Sequence, residues 1–313
     1  ANPVEFFKMG ASVNGSYADQ DYGYNFSKSV TGAGDFYGAL RSMLPWTVPY
    51  DANGDYIRRP NGDINIINPI RELDYNTNQR RTFRANASMY SQIDFGKIWE
   101  PLEGLSYRIQ FGPEFQFYGD GNNKAQYKNE QKRSWTLDNL IYYNKTIKDH
   151  SLGLTLMQSA SKYHYEMGDM TATNVASSKE LWYNLHSAGS LSGFGTGLTE
   201  SQMTSYMARM NYGFKDRYLL TASVRWDGSS VLAPGHKWAT FPSAALAWRI
   251  DQEDFMKDIN WISQLKLRLG FGVTGNAAID PYSTKGAIQS LYYQWGSESP
   301  SIGYLPSDVS AKN

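Results

Sequence analysis

The chain has 313 residues, with 30 Lys and Arg against 30 Asp and Glu, so its formal net charge is zero. A balanced charge argues against a nucleic-acid partner or a polybasic membrane-surface role. The chain contains no Cys, which excludes disulfides, cysteine–zinc sites, iron–sulfur clusters and thiol nucleophiles. The longest apolar run, residues 244–248, is far shorter than the roughly 20 residues of a membrane-spanning helix, so membrane helices are excluded as well.

The composition favours strands and turns. Aromatic residues make up 15% of the chain, with 23 Tyr and 9 Trp, and there are 28 Gly. The mean hydropathy of −0.54 leaves a transmembrane β-barrel open, because barrel strands alternate apolar and polar residues. Period-two alternation predicts nine strands, at about 4–14, 82–96, 104–118, 133–145, 150–160, 206–214, 218–227, 238–250 and 265–274.

The alternation is clearest between residues 206 and 274. In the seventh predicted strand the apolar side chains share one face, and the opposite face is mostly polar. The apolar set is Tyr218, Leu220, Ala222, Val224 and Trp226, and the opposite set includes Thr221, Ser223, Arg225 and Asp227. The two aromatic residues at its ends are separated by roughly 20 Å along the membrane normal, close to the ~25 Å apolar band of a barrel. The alternative is that these aromatics form the core of a soluble sandwich.

Predicted connections alternate between long and short. Long or polar ones lie at about 15–81, 119–132, 161–202, 228–237 and from 275 onward. Short ones lie at 97–103, 146–149, 215–216 and 251–263, the last with room for a helical turn. Outer-membrane barrels sort their connections in this way, with short periplasmic turns and long extracellular loops.

Residues 217–230, Arg-Tyr-Leu-Leu-Thr-Ala-Ser-Val-Arg-Trp-Asp-Gly-Ser-Ser, resemble a hallmark stretch of the SusC/RagA family of TonB-linked outer-membrane transporters. Similar blocks follow in order at 238–243, 247–250, 253–256, 265–268, 270–276 and 280–282, with a weaker one at 49–56. Several ordered blocks over about 70 residues make the resemblance specific.

The resemblance implies an all-β fold: an antiparallel transmembrane β-barrel segment of about nine strands, with long extracellular loops, from a larger 22-stranded barrel. It also implies a Gram-negative outer-membrane location, a plug and a TonB box that engage the TonB complex, and a SusD-like surface lipoprotein as lid. The cargo would be an oligosaccharide or a peptide, and outer-membrane lipid would contact the barrel. Because neither plug nor TonB box is recognisable, residues 1–313 are expected to be a partial barrel domain without the plug and the barrel remainder.

No catalytic set, cofactor site or metal site is predicted. Asp51, Asn53 and Asp55 begin like a calcium loop, but the following Gly and the twelfth-position Glu are missing, so a hairpin turn around Asn53-Gly54 is predicted instead. The four histidines lack ligand spacing. The acids Asp251, Glu253 and Asp254 could suggest a glycosidase pair, but their short connection favours a capped, solvated turn.

The candidate substrate-binding residues are aromatic side chains in the two longest predicted loops: Trp46, Tyr50, Tyr56, Trp182 and Tyr183. Flat rings stack on sugars or grip peptide side chains, whereas the alternative is packing of the loops themselves. Other loop aromatics are Tyr163, Tyr165, Phe194, Tyr292, Tyr293 and Trp295. The rival functions are a secreted, all-β lectin-like domain and a β-rich glycoside hydrolase.

Overall fold

The protein folds mainly into one antiparallel sheet. The computed structural model describes residues 4–21, 36–63, 66–75, 77–122, 125–174, 180–256, 261–286, 288–294, 296 and 301–306. Nine strands pair in sequence order: β1 (Phe7–Asp21), β2 (Asn78–Asp94), β3 (Leu105–Asn122), β4 (Gln126–Ile147), β5 (His150–Thr173), β6 (Ser190–Phe214), β7 (Tyr218–Ser229), β8 (Trp238–Arg249) and β9 (Lys266–Gly272). A separate hairpin is formed by β10 (Ile288–Tyr293) and β11 (Ser301–Pro306).

Within the described ranges, helical structure lies only in the connections. Two short helices, α1 (Phe36–Arg41) and α2 (Pro69–Tyr75), lie in the connection between β1 and β2. Single 3₁₀ turns occur at Phe95–Lys97, Glu100–Leu102, Leu185–Ser187, Ile250–Gln252, Asp254–Met256 and Ser283–Lys285. Among the described residues, no helix combines the length and the apolar character needed to cross a membrane.

The nine predicted strands and their antiparallel meander are confirmed, but several strands are longer than predicted. The region 119–132, predicted as a loop, is mostly strand, since β3 ends at 122 and β4 begins at 126. The predicted loop 161–202 shrinks to 174–189 for the same reason. These extensions carry polar residues on both faces, mixed with apolar ones, so their period-two signal is weak. The hairpin β10–β11 was also missed, in a region predicted to be a polar link.

Strand register separates the sheet into an apolar face and a polar face. Directly paired residues share a face, so the row Met210, Ala222, Ala244 and Phe271 lies on one side. The row Thr155, Arg209, Ser223 and Ser243 lies on the other. Arg225 and Arg268 fall on the polar face, and Leu220 and Leu267 fall on the apolar face, as the alternation predicts.

Aromatic rings edge the apolar face at both ends. Near the long loops Trp226 and Trp238 have ring centroids 4.6 Å apart, and Tyr206 lies 6.2 Å from each. Near the short turns Phe214 and Tyr218 stack at 6.4 Å. Amphipathic rings at both edges of an apolar band match the aromatic girdles of a membrane-spanning sheet.

The apolar face has no covering layer among the described residues. Leu269 is 63% exposed and Phe271 is 70% exposed, and the buried apolar side chains are small ones such as Ala125, Ala172 and Val231. A sandwich would bury such a face against a second sheet of similar size. The nine-stranded sheet with a bare apolar face therefore does not match the sandwich alternative.

Glu253 anchors the short connection between β8 and β9. Its carboxylate accepts hydrogen bonds from the Tyr218 hydroxyl (2.7 Å), the Trp248 indole (3.0 Å) and the Arg217 guanidinium (3.0 Å). The first two donors do most to hold the pKa of the Glu253 carboxyl below its usual range. The prediction of a turn is right, but the prediction that it is solvated is wrong for Glu253, which is buried.

Candidate functional site at the loop end of the sheet

The described part of the first long loop is organised by Asn68. This side chain is only 1% exposed, and its amide nitrogen donates to the carbonyls of Pro49 (2.8 Å) and Ile57 (2.9 Å). Its amide oxygen accepts the backbone N–H of Ile70 (3.1 Å) at the start of α2. Asn68 therefore caps α2 and fixes the neighbouring hairpin at the same time.

Two of the predicted binding residues meet in that hairpin. Tyr50 and Tyr56 form an antiparallel bridge, and their ring centroids lie 4.9 Å apart. The Tyr56 hydroxyl donates to the carboxylate of Asp74 on α2. The predicted turn is confirmed, because Asp51 Oδ1 accepts the backbone N–H groups of Asn53 and Asp55, each at 2.9 Å.

Trp182 and Tyr183 also lie together, in the connection between β5 and β6. Their ring centroids are 5.0 Å apart, and the Trp182 ring rests on the backbone of Gly121. A Cβ at Gly121 would approach the indole to 2.3 Å, so the absence of a side chain there makes room for the ring. Tyr183 interacts with the Arg81 guanidinium.

The Trp182 contact lies on the apolar-face side of the sheet. Gly121 shares its face with Phe117 and Phe111, which belong to the apolar row of β3. The contacts of this pair favour loop packing, and its role in binding stays a prediction. Trp46 is 76% exposed and makes no ring contact with the other predicted residues in the described part of the chain.

The polar face carries a group that the sequence reasoning did not single out as a site. We call it the tyrosine cluster: Tyr118 on β3, and Tyr163 and Tyr165 on β5. Register places all three on the polar face at the loop end of the sheet, around Glu130 and Lys132 of β4. Tyr163 and Tyr165 were predicted to lie in a loop, but they are strand residues.

Charged groups surround the tyrosine cluster. The Tyr118 hydroxyl donates to Asp120 (2.8 Å), which also pairs with Arg80 (3.1 Å). Lys128 pairs with Glu130 at 2.6 Å, and the Lys132 ammonium lies 5.6 Å from the centroid of the Tyr165 ring. Partly exposed rings beside carboxylates and amines can bind a polar ligand through both stacking and hydrogen bonds.

The remaining predicted loop aromatics are dispersed. Phe194 lies on β6 and is exposed, and Tyr292 and Tyr293 lie on β10. Trp295 lies outside the described residues. Within the described ranges, no group of three or more His, Asp or Glu side chains is arranged to hold a metal ion.

Relatives of known class match nearly the whole chain. It is 32% identical to TonB-dependent receptor P26 of Formosa agariphila over 312 aligned residues, covering 90% of this chain and 29% of that protein. An 81-residue segment, 26% of this chain and 8% of the relative, is 51% identical to TonB-dependent receptor SusC of Bacteroides thetaiotaomicron. No family model matches the chain.

Solved structures match the fold. A structure of the RagAB peptide transporter covers 100% of this chain, with a TM-score of 0.80 and 22% identity, and the match takes 35% of that chain. The RagAB peptide importer in its open-open state gives a TM-score of 0.80 at 23% identity, covering 98% of this chain and 34% of that one.

The two-faced antiparallel meander, matched along its length by such structures, defines a segment of a transmembrane β-barrel. The chain is SusC/RagA-like and partial: it spans about 29% of the length of TonB-dependent receptor P26.

Proposed function

We propose that this chain is part of a TonB-dependent transporter that imports a nutrient across the Gram-negative outer membrane. The observation that carries the proposal is the bare apolar face of the nine-stranded sheet with aromatic rings at both edges. Lipid would cover this face, and the polar face would line the interior of the barrel. The relatives named as TonB-dependent receptors support the same class.

The partners follow from that class. TonB would supply work through a plug and TonB box, and a SusD-like lipoprotein would close the long loops from outside. The loop module around Asn68 presents Trp46 and Tyr50 to such a partner, since both side chains are exposed on an ordered frame. The protein would perform no covalent chemistry.

The cargo is proposed to be an oligosaccharide or a peptide that passes the tyrosine cluster. Tyr118, Tyr163 and Tyr165 lie on the face that would look into the barrel, with Asp120 bonded to Tyr118 and the Lys132 ammonium near the Tyr165 ring. Trp182 and Tyr183 remain the alternative contacts.

The test uses the full-length protein in outer membranes. Two double variants, Tyr163→Ala with Tyr165→Ala and Trp182→Ala with Tyr183→Ala, are compared with Tyr17→Ala, an exposed tyrosine on the apolar face. We expect the first double variant to weaken binding of a glycan or peptide library pool about tenfold, or about 1.4 kcal/mol. Lid association is measured separately by co-purification.

Each result has a clear meaning. Recovery of the protein in the aqueous phase without detergent would contradict the transporter class. Equal ligand binding in all three variants would remove both aromatic sets from the binding surface. Turnover of a glycan by the purified protein would favour the hydrolase instead.

A further inference from the structure

The upper part of β6 has a strand neighbour on one side only. β5 pairs with β6 over its length, but β7, on the other side, pairs only with Met203–Phe214. Among the described residues, no other strand lies beside residues 190–202 in place of β7. The remainder of a barrel would attach at the outer strands β1 and β9, so it would not pair with this interior edge.

Hydrogen-bond direction alternates along β6, and every second residue points toward this edge. Ser230 N–H donates to the Gln202 carbonyl (2.9 Å), and Gln202 N–H donates to Ser230 Oγ (2.9 Å). Two residues earlier, Glu200 N–H donates to the Tyr282 hydroxyl (3.0 Å). The next residues whose backbone points the same way are Leu198, Thr196 and Phe194. We call residues 194–200 the open edge, because no described strand pairs with them there.

The open edge is a template for an added strand. Its N–H and C=O groups recur at every second residue, over about 20 Å from residue 194 to residue 200. An extended peptide of about seven residues presents backbone donors and acceptors with the same repeat. Sugar hydroxyls do not follow this repeat, so the edge favours a peptide over a glycan.

Large apolar side chains flank the open edge on the outer side. Phe194 is 80% exposed and Leu198 is 57% exposed, although both lie beyond the apolar band. A strand added to β6 would bring its own alternate side chains to about 5 Å from these two. Exposed apolar groups of this kind mark surfaces that a partner covers.

An acid without an ion-pair partner flanks the open edge on the inner side. Asp169 of β5 lies opposite Gly195, and its Oδ1 is 2.8 Å from the place where a Cβ of Gly195 would be. The carboxylate therefore rests over the β6 backbone beside the edge. Lys128, the register neighbour of Asp169 on β4, pairs with Glu130 instead (2.6 Å), and no other described cation pairs with Asp169. This carboxylate suits an amino group of a bound molecule.

The tyrosine cluster lies next to the open edge. Tyr163 and Tyr165 on β5 are opposite Ser201 and Thr199 on β6, which carry small side chains. An added strand would lie about 10 Å from β5, with only these small side chains between its inner face and the tyrosine rings. Long side chains of the added strand can reach across that distance.

We propose that the open edge binds a peptide with a free amino group, which adds to β6 as an extended strand and places that amino group beside Asp169. The inference rests on the proposed function and deepens it, because it selects a peptide as the cargo. Main-chain hydrogen bonds accept many sequences, which suits an importer of mixed nutrients. The competing occupants are a strand of the lid lipoprotein and a segment of this chain outside the described residues.

The experiment uses the full-length protein purified from outer membranes. The probe is a pool of Lys-containing random peptides of about seven residues, compared with the same pool N-methylated at every backbone amide and with a neutral oligosaccharide pool of equal mass. Thr196→Pro removes an N–H that points to the open edge, and proline is tolerated at such edge positions. Thr196→Val is the matched control, because it keeps the N–H and the shape of the side chain.

We expect the N-methylated pool, and the unmodified pool on Thr196→Pro, to bind about tenfold more weakly than the unmodified pool on the wild type. Thr196→Val should bind like the wild type. Asp169→Asn should weaken binding about threefold and abolish the preference for free over acetylated amino groups. Hydrogen exchange of residues 194–200 should slow when the unmodified pool is added.

The pool comparison and the hydrogen exchange do not depend on a variant, so they decide the question even if Thr196→Pro fails to fold. Equal binding of both peptide pools, or slow exchange of the open edge before any peptide is added, would overturn the proposal. So would protection of the edge by the oligosaccharide pool, or loss of lid association alone in Thr196→Pro. Absence of the protein from the outer membrane would contradict the proposed function, whereas correct location with an edge that peptides do not protect would contradict only this inference.

Discussion

The half of the sheet near the short turns differs from the half near the loops. Near the turns, apolar and polar residues alternate, as in Tyr218–Trp226 of β7, where Leu219 is the one exception. Near the loops, β4 to β6 continue with polar groups on both faces; for example, Lys162, His164 and Glu200 lie on the continuation of the apolar face. The same strands therefore remain paired through both halves of the sheet, and only their side chains show where the apolar band ends.

The largest effect that tests this difference is expected when Arg is placed on the apolar face at two positions, one near the turns and one near the loops. Val224→Arg in the apolar band should lower the free energy of unfolding by roughly 2–4 kcal/mol, because Arg near the bilayer midplane is poorly solvated. Leu198→Arg, on the same face of β6 but beyond the band, should cost about 0–1 kcal/mol. Both side chains are exposed, at 43% and 57%, so packing differs little.

The measurement is a urea folding titration of the full-length protein in lipid vesicles, with Thr221→Arg on the polar face as a further control. Similar losses for Val224→Arg and Leu198→Arg would mean that the band does not end below residue 198. Similar losses for Val224→Arg and Thr221→Arg would mean that the two faces do not differ.

A second comparison tests packing at the loop end. Gly121→Ala would drive a methyl group into the Trp182 ring and should cost about 1–3 kcal/mol locally. Gly119→Ala, two residues earlier on the same face of β3, meets nothing within 4 Å and should cost little. Limited proteolysis of the 174–189 connection reports the change, and equal cleavage of both variants would mean that Trp182 does not hold this loop.

The smallest effect is expected at the short-turn end and depends on pH. The pKa of Glu253 is lowered in the folded state, so its ionised form stabilises the turn above about pH 4.3 and this contribution is lost as the pH falls. Glu253→Gln should flatten the acid limb of the stability profile below about pH 4.3, where the ionised carboxylate is lost. Asp254→Asn is the control, because Asp254 is exposed and has a longer contact with Arg217 (3.6 Å). If the acid limb is unchanged in Glu253→Gln, the Glu253 carboxylate does not contribute to the loss of stability at low pH.

The sequence predicts the membrane-like half of the fold well, for a physical reason. Lipid requires an apolar side chain at every second position, so Leu265–Val273 and Tyr218–Trp226 carry a strong periodic signal. At the loop end both faces of the strands can be exposed to water, so neither face has to be apolar. The strand extensions around Lys128 and Tyr163 therefore lack the periodic signal. Strand ends were consequently predicted too early on that side.

The candidate site was harder to predict, because it depends on register between distant segments. Tyr118 and Tyr165 are 47 positions apart, and only the pairing of both strands with β4 brings them to one face. Trp182 was predicted as a binding residue because it is aromatic and lies in a long predicted loop. Its contact with Gly121 depends on how that loop folds back onto the sheet, which the sequence does not reveal. The cluster could have been found by extending the alternation beyond the predicted strand ends and looking there for tyrosines that fall on the same face as acidic residues.

The length of the β5–β6 hairpin sets the reach of the protein above the membrane. β5 has 24 residues and β6 has 25, so each strand extends about 80 Å, or roughly 60 Å along the membrane normal at the usual tilt. An apolar band of about 25 Å uses less than half of that height. In the proposed membrane position, the 174–189 connection would therefore lie roughly 30 Å beyond the lipid, and a molecule approaching from the medium would meet the extended strands before it reached the bilayer.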